Sequence, residues 1–178
     1  MGSYVNIGLI SEKADFKEKV IKLISSSNAF YCEKVNYPTD KTYSTWKEKT
    51  IEQCGIDIAI DYCIEYNMAK ITGNLKVGEY EIKEVLFQAE ELSNGTYCFL
   101  IQMPEQQNSI FEDINVAEDH IICFFKNLAQ YRFLQGFCDS EAEAEDKQGY
   151  AISVVYNPYA NIILQSWMID GITGRDLL

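Results

Sequence analysis

The chain has 178 residues, 47% apolar and 13% aromatic, and its 12 Tyr, 9 Phe and 2 Trp demand burial, which excludes a disordered chain. That length is one domain's worth, spanning 1–178, and is enough to bury a core without disulfide staples. With 15 basic against 27 acidic residues the net charge is −12, the wrong sign for a non-specific nucleic-acid binder or for an anionic membrane surface. A basic protein partner suits such a field, as does plain solubility.

The opening Met-Gly-Ser-Tyr-Val-Asn-Ile-Gly-Leu-Ile has no positive leader and too short an apolar stretch for a signal peptide. No run of about 18 apolar residues follows, so the expectation is a cytoplasmic chain without a membrane span. Val5, Ile7 and Leu9 alternate with Tyr4, Asn6 and Gly8, the period of a strand. Asp15-Phe16-Lys17-Glu18 resembles a capping box, and Phe16, Val20, Leu23 and Ile24 recur at helical spacing until Ser25-Ser26-Ser27-Asn28 ends the helix. Residues 29–37 read as a second strand. The polar, turn-rich stretch from Pro38 to Thr45 leads into a short helix at Trp46–Gln53.

Gly55–Asn67 reads as the clearest strand. Ile56, Ile58, Ile60, Tyr62, Ile64 and Tyr66 line one face, and Asp57, Ala59, Asp61, Cys63 and Glu65 the other. Residues 69–77 alternate again. Residues 79–92 fit a helix or a strand, and Asn94-Gly95, a hairpin signal ahead of Thr96–Met103, tips them towards a bulged strand. Pro104 closes that strand. Ser109-Ile110-Phe111-Glu112 fits a capping box, and Ala117, Ile121, Phe124, Phe125, Leu128 and Tyr131 predict one long helix over 110–133. After an acidic stretch, 150–157 and 161–169 read as a closing hairpin. The sum is an α+β fold, a mainly antiparallel sheet packed against one long helix and one shorter N-terminal helix.

Chemistry-bearing motifs are few. The lone histidine, His120, reads as a capping or solvent-edge residue of the long helix rather than a base. No nucleophile elbow, phosphate loop or dinucleotide fingerprint occurs, and Gly171-Ile172-Thr173-Gly174-Arg175 reads as a turn. The six cysteines match no zinc spacing, so no cofactor or metal is expected, and they read as small buried hydrophobes in a reducing compartment.

The acids carry the remaining signal. On a strand, Asp57, Asp61 and Glu65 would stand about 13 Å apart pairwise, beyond the ~5–9.5 Å of a working carboxylate pair. They therefore read either as cross-strand partners of Lys70 and Lys76 or as an acidic stripe for the Lys and Arg of another protein. Asp139, Glu141, Glu143, Glu145 and Asp146 form the densest run, five carboxylates without a base, either a solvated loop or a docking loop. Trp167 with Asp170 near the end of the last strand is a core Trp or an interface anchor.

The stretches Met1–Gly8, Phe-Cys-Asp-Ser-Glu-Ala-Glu at 137–143 and Ser-Trp-Met-Ile-Asp-Gly-Ile-Thr-Gly-Arg at 166–175 resemble cytosolic immunity proteins of bacterial polymorphic toxin systems, of the contact-dependent inhibition type. The resemblance implies an α+β protein, not an enzyme, that neutralises a cognate toxin, often a nuclease, by tight binding near its active site. The expected surface is drawn from Asp139, Glu141, Glu143, Glu145, Asp146, Asp57, Asp61, Glu65, Trp167 and Asp170. The alternatives are a small carboxylate-based metal-dependent enzyme built on Asp57, Asp61 or Glu65, and a structural adaptor.

Overall fold

A computed structural model describes residues 4–92, 95–104, 120, 123–140, 152–157 and 162–165. Their order is β1 (Tyr4–Glu12), α1 (Phe16–Ser26), β2 (Phe30–Pro38), β3 (Trp46–Thr50), α2 (Ile51–Cys54), α3 (Ile56–Glu65), β4 (Lys70–Val77), β5 (Tyr80–Glu91), β6 (Thr96–Pro104), β7 (Gln135–Ser140), β8 (Ile152–Asn157) and β9 (Ile162–Gln165). The strands form one nine-stranded sheet, ordered β3-β2-β4-β5-β6-β1-β7-β8-β9, and every neighbouring pair is antiparallel. The architecture is α+β.

Two helical crossings build the covered face. From β1 the chain must pass β6, β5 and β4 to reach β2, and α1 carries it. Its Phe16, Val20 and Leu23 are buried, worth roughly 1.5–3 kcal/mol each. β3 and β4 flank β2 and are therefore parallel to each other, an arrangement that needs a crossover. α2 and α3 supply it, burying Ala59, Ile60 and Cys63. Residues 123–128 add a third helical piece, with Phe124, Phe125 and Leu128 buried. All three pieces meet alternate strand residues in one cluster: Ile7 and Leu9, Phe87 and Ala89, Phe99 and Ile101, Ile71 and Leu75. The opposite face is apolar at Ile10, Cys98 and Leu100 but polar at Lys70, Thr72 and Asn74.

Most sequence expectations hold: β1, α1, β2, β4, β6 and the antiparallel pair β8 and β9 lie where the periodicity put them, and 79–92 is strand. Asp15 is the N-cap of α1, but its side chain makes no capping hydrogen bond. Three expectations fail. Gly55–Asn67 is helix, not strand. Ile56, Ala59, Ile60 and Cys63 also obey the i, i+3, i+4, i+7 rule, and the buried residues of α3 follow that pattern. Trp46–Gln53 begins as β3, and only its end is helical; Thr50 and Gln53 form the reciprocal capping box that starts α2.

The long helix over 110–133 is not found as one element. Of its course, 123–128 is helical, a 3-10 turn follows at Ala129–Tyr131, and most of the rest lies outside the described residues. The longest described helix, α1, has 11 residues. Ahead of the acidic run the chain forms β7, which sequence reasoning missed; it seats Gly136 and Cys138 opposite Leu9 and Ile7.

One close approach fixes the middle of the sheet. β2 carries an extra residue, Glu33, between the partners of Gly73 and Thr72, and β5 carries Glu84, at φ 59°, between the partners of Leu75 and Gly73. Both bulges sit at the level of Gly73, where the Tyr31 carbonyl oxygen would lie 1.8 Å from any added Cβ. That obstacle is backbone of β2, held in register with β4 at this level. Gly73→Ala should therefore cost about 3 kcal/mol or more, at the upper end of the overpacking range, read as a lowered urea midpoint at unchanged slope. A midpoint within error of the parent would show that the strands can separate freely here.

Candidate protein-docking site

The helical form of 56–65 changes the meaning of its acids. A residue every fourth position falls on one helix stripe, and a rise of ~1.5 Å per residue sets Asp57, Asp61 and Glu65 about 6 Å apart along the axis. The 13 Å strand spacing does not apply, and neither do the expected cross-strand partners Lys70 and Lys76. Lys17 of α1 instead bridges Asp61 at 2.7 Å. That hydrogen bond is the main reason the Lys17 ammonium is held above its ordinary pKa, with the Asp61 and Asp57 charges adding to it. Both side chains of the bridge are about half exposed, so solvent screens the pair and it adds little to stability. Asp57 and Glu65 remain exposed on either side.

The stripe ends at an aromatic cluster made by the C-terminus of α3 and the β2–β3 hairpin. The hairpin loop closes through Thr39 N–H donating to the Thr45 carbonyl at 2.9 Å and through contact of the two threonine hydroxyls. Inside the loop, Asp40 Oδ1 accepts from the Thr42 amide at 2.9 Å and from its hydroxyl at 2.5 Å. These bonds hold the Asp40 carboxyl below its ordinary pKa, the side-chain hydrogen bond being the larger cause. The turn forces Tyr43 to φ 57°, left-handed backbone rare for an aromatic residue. Tyr43 is the middle ring of three: its centroid lies 6.2 Å from Trp46 and 6.4 Å from Tyr66, with interplanar angles of 52° and 89°. Trp46 is 41% exposed, and Met68, two residues beyond Tyr66, is 56% exposed. Desolvation, then the carboxylate of Glu65 and more weakly that of Asp40, raise the pKa of the Tyr66 hydroxyl, so it stays a neutral donor.

A second aromatic pair lies alongside. Tyr37 of β2 and Tyr62 of α3 stack at 3.9 Å and 6°. Lys49 of β3 lies at the edge of the stack, its Nζ 5.6 Å and 5.5 Å from the centroids, and donates to Tyr62 Oη at 3.1 Å. The bond to Tyr62 is the first cause of the raised pKa of Lys49. The pair ties the edge strand to the helix and fixes the hairpin that carries Tyr43 and Trp46.

The other expected site residues fall elsewhere. Asp139 is in β7, opposite Asn6 of β1, rather than in a loop. Glu141, Glu143, Glu145, Asp146, Trp167 and Asp170 lie outside the described residues. His120 is half-buried and packs edge-on against the Tyr80 ring at 5.2 Å. Its Nδ1 would lie 2.3 Å from a Cβ at Gly78, whose φ of 62° suits the tight β4–β5 turn. Among the described residues no group of three His, Cys, Asp or Glu is placed to share a metal ion, and no helix is long and apolar enough to cross a membrane. A pocket of about 380 Å³ opens at the C-terminus of α1, walled by Asn28, Cys123, Phe124, Asn127 and Tyr131, and among the described residues no carboxylate lines it.

The aromatic trio escaped sequence reasoning because it depends on α3 being a helix. Tyr66 is the C-cap residue of α3, and its meeting with Tyr43 of the hairpin follows from where that helix ends. The local signal was Pro38-Thr39-Asp40-Lys41-Thr42, an Asx-turn signature that places whatever follows at a hairpin tip. Comparison with family models, with curated proteins and with solved structures finds no match to this chain.

All six cysteines are free, but they are not all buried hydrophobes: Cys123 is exposed, Cys32 and Cys54 are intermediate, and Cys63, Cys98 and Cys138 are buried. Burial pushes the Cys32 and Cys63 thiols up to about 12. The folded state thus keeps two protons that the unfolded chain releases near the ordinary thiol pKa of ~8.5. Their contribution to stability is intact below that pH and is lost as pH rises towards about 12. Alkylation of the native protein at about pH 8 should label Cys123 and spare Cys32 and Cys63, whereas the urea-unfolded chain should label all six. Equal native labelling of Cys63 and Cys123, read by peptide mass spectrometry, would contradict this packing.

Proposed function

We propose that this chain is an inhibitory binding protein of the immunity type, which holds a cognate basic toxin in the cytoplasm and occludes its active site. One observation carries the reading: α3 lines up Asp57, Asp61 and Glu65 and delivers that line to the cluster of Tyr43, Trp46 and Tyr66, in which Trp46 is exposed and the two tyrosines are half-buried. Acids beside aromatic anchors are what a basic protein surface requires. The aromatics exclude water at the centre of the contact, and the charges steer the encounter and fix its register. A nuclease toxin would offer the lysines and arginines with which it holds phosphates, and covering them stops its chemistry without any catalysis by this chain. The run Glu141, Glu143, Glu145 and Asp146, with Asp139 before it and Trp167 and Asp170 beyond, belongs to the same proposal as a second candidate contact.

The carboxylate-enzyme alternative is weaker on this geometry. The helical spacing of about 6 Å does suit a working carboxylate pair. However, Lys17 occupies Asp61, and the described pocket at the end of α1 contains no acid.

The test is whether a toxin gene lies immediately upstream of this one and, with its product, co-expression and association kinetics of the purified pair across a salt series. The chain should restore growth and bind the toxin. Trp46→Ala should weaken the complex by about 30-fold, the ~2 kcal/mol of an interface anchor. Reversing Asp57 and Glu65 to Lys should slow association several-fold at low salt, an effect that fades as the screening length falls to about 8 Å at physiological salt. If reversal of Glu141, Glu143 and Glu145 slows association while the α3 variant binds like the parent, the interface lies on the acidic run instead. Failure to bind or protect would overturn the immunity reading.

A further inference from the structure

The two aromatic groups at the α3 end of the molecule differ in one respect. Tyr37 and Tyr62 hold the ammonium of Lys49 at the hydroxyl edge of their stack. Tyr43, Trp46 and Tyr66 are comparable in chemistry, three electron-rich rings in three different planes, yet no cation among the described residues lies over them. Two carboxylates act on this second group. Glu65 interacts with the Tyr66 hydroxyl, and the Asp40 charge also reaches that hydroxyl. Asp40 uses only Oδ1 for the Thr42 bonds, which leaves Oδ2 as a further acceptor.

Backbone strain points the same way. A left-handed turn position favours Gly or Asn, and other residues adopt it at a cost in backbone strain. The hairpin nevertheless places a tyrosine at φ 57° and braces it with the Asp40 cap and the Tyr43 N–H to Asp40 carbonyl bond of 3.3 Å. Turn chemistry does not ask for a ring at this position. The ring bridges Trp46 and Tyr66 and completes the group.

We infer that Tyr43, Trp46 and Tyr66, with Asp40 and Glu65, form a receptor for an arginine side chain of the partner protein. The inference deepens the docking proposal and rests on it for the identity of the partner. Arginine fits better than lysine here. Its planar, weakly hydrated guanidinium stacks on an aromatic face while its edge donates to carboxylates; Glu65 directly precedes Tyr66, and Asp40 belongs to the same hairpin loop as Tyr43. The inserted side chain would take the role in this group that Lys49 takes in its neighbour, with its charge supplied from outside the chain.

The experiment uses the full chain and two small probes, Nα-acetyl-arginine amide and its neutral isostere Nα-acetyl-citrulline amide, with the Trp46 indole N–H followed by NMR and assigned with Trp46→Phe. The arginine probe should give a saturable millimolar shift, and citrulline a response at least tenfold weaker. Asp40→Asn with Glu65→Gln should weaken arginine binding several-fold. Tyr43→Asn should abolish it while leaving the urea midpoint equal or higher, since Asn tolerates the left-handed turn. Equal responses to the two probes, or undiminished binding to Tyr43→Asn, would overturn the receptor. Arginine binding without toxin protection would refute the immunity reading and leave the receptor standing. Toxin binding unaffected by Tyr43→Asn would do the reverse.

Discussion

Phe30 touches three other phenyl rings, and the position of every element near the candidate site follows from that contact. Its ring lies 5.9 Å from Phe87, 6.3 Å from Phe99 and 6.1 Å from Phe124. Phe87 and Phe99 stack on each other across β5 and β6 at 5.7 Å. The first residue of β2 is thereby joined to the middle of the sheet and to the helical piece at 123–128. Tilted ring pairs of this kind contribute roughly 0.5–1.5 kcal/mol each beyond their buried area. With Phe30 fixed, β2 can run outward only towards Pro38, and the hairpin beyond it is set against α3. The half-buried aromatic trio thus lies beyond one end of β2, and a buried aromatic quartet anchors the other.

The sequence was most legible where one periodicity stood alone. In β1 and β4 apolar and polar residues alternate cleanly, and in α1 the stripe of Phe16, Val20 and Leu23 has no competing period. Residues 56–65 obey two rules at once. Six β-branched or aromatic residues at every second position imitate a strand, while Ala59 and Cys63, small and placed among the acids, complete a helical stripe. A reading by alternation counts Ile58 as core, yet it is 43% exposed. Tertiary context decides: a parallel connection from β3 to β4 needs a crossover, and a tenth strand here would leave β4 without a route to its place. The fold class survives this exchange because the sheet has strands enough without it.

The candidate site was legible in composition and illegible in geometry. Asp57, Asp61 and Glu65 could be singled out by charge, but their spacing and their partner depend on the helix. Lys17 is 44 residues from Asp61 in sequence, and no local pattern links them. Tyr43 and Trp46 carried no signal of their own, since aromatic residues beside a turn are ordinary. Only the backbone reveals that Tyr43 occupies a position where a smaller residue would be easier. Such local disagreement between residue and conformation is where function is expected to leave its mark.

The central place of β1 in the sheet has a consequence for how the chain is made. β1 spans Tyr4–Glu12, yet its two neighbours are Thr96–Pro104 and Gln135–Ser140. On a ribosome adding about 5–20 residues per second, the first strand waits on the order of ten seconds for its first partner and longer for its second. During that interval both its edges are bare, and the apolar Ile7, Leu9 and Ile10 have no sheet to enter. Assembly is therefore dominated by distant pairings, the regime of slow folding, in which an unpaired β1 is exposed to wrong partners until β6 and β7 arrive.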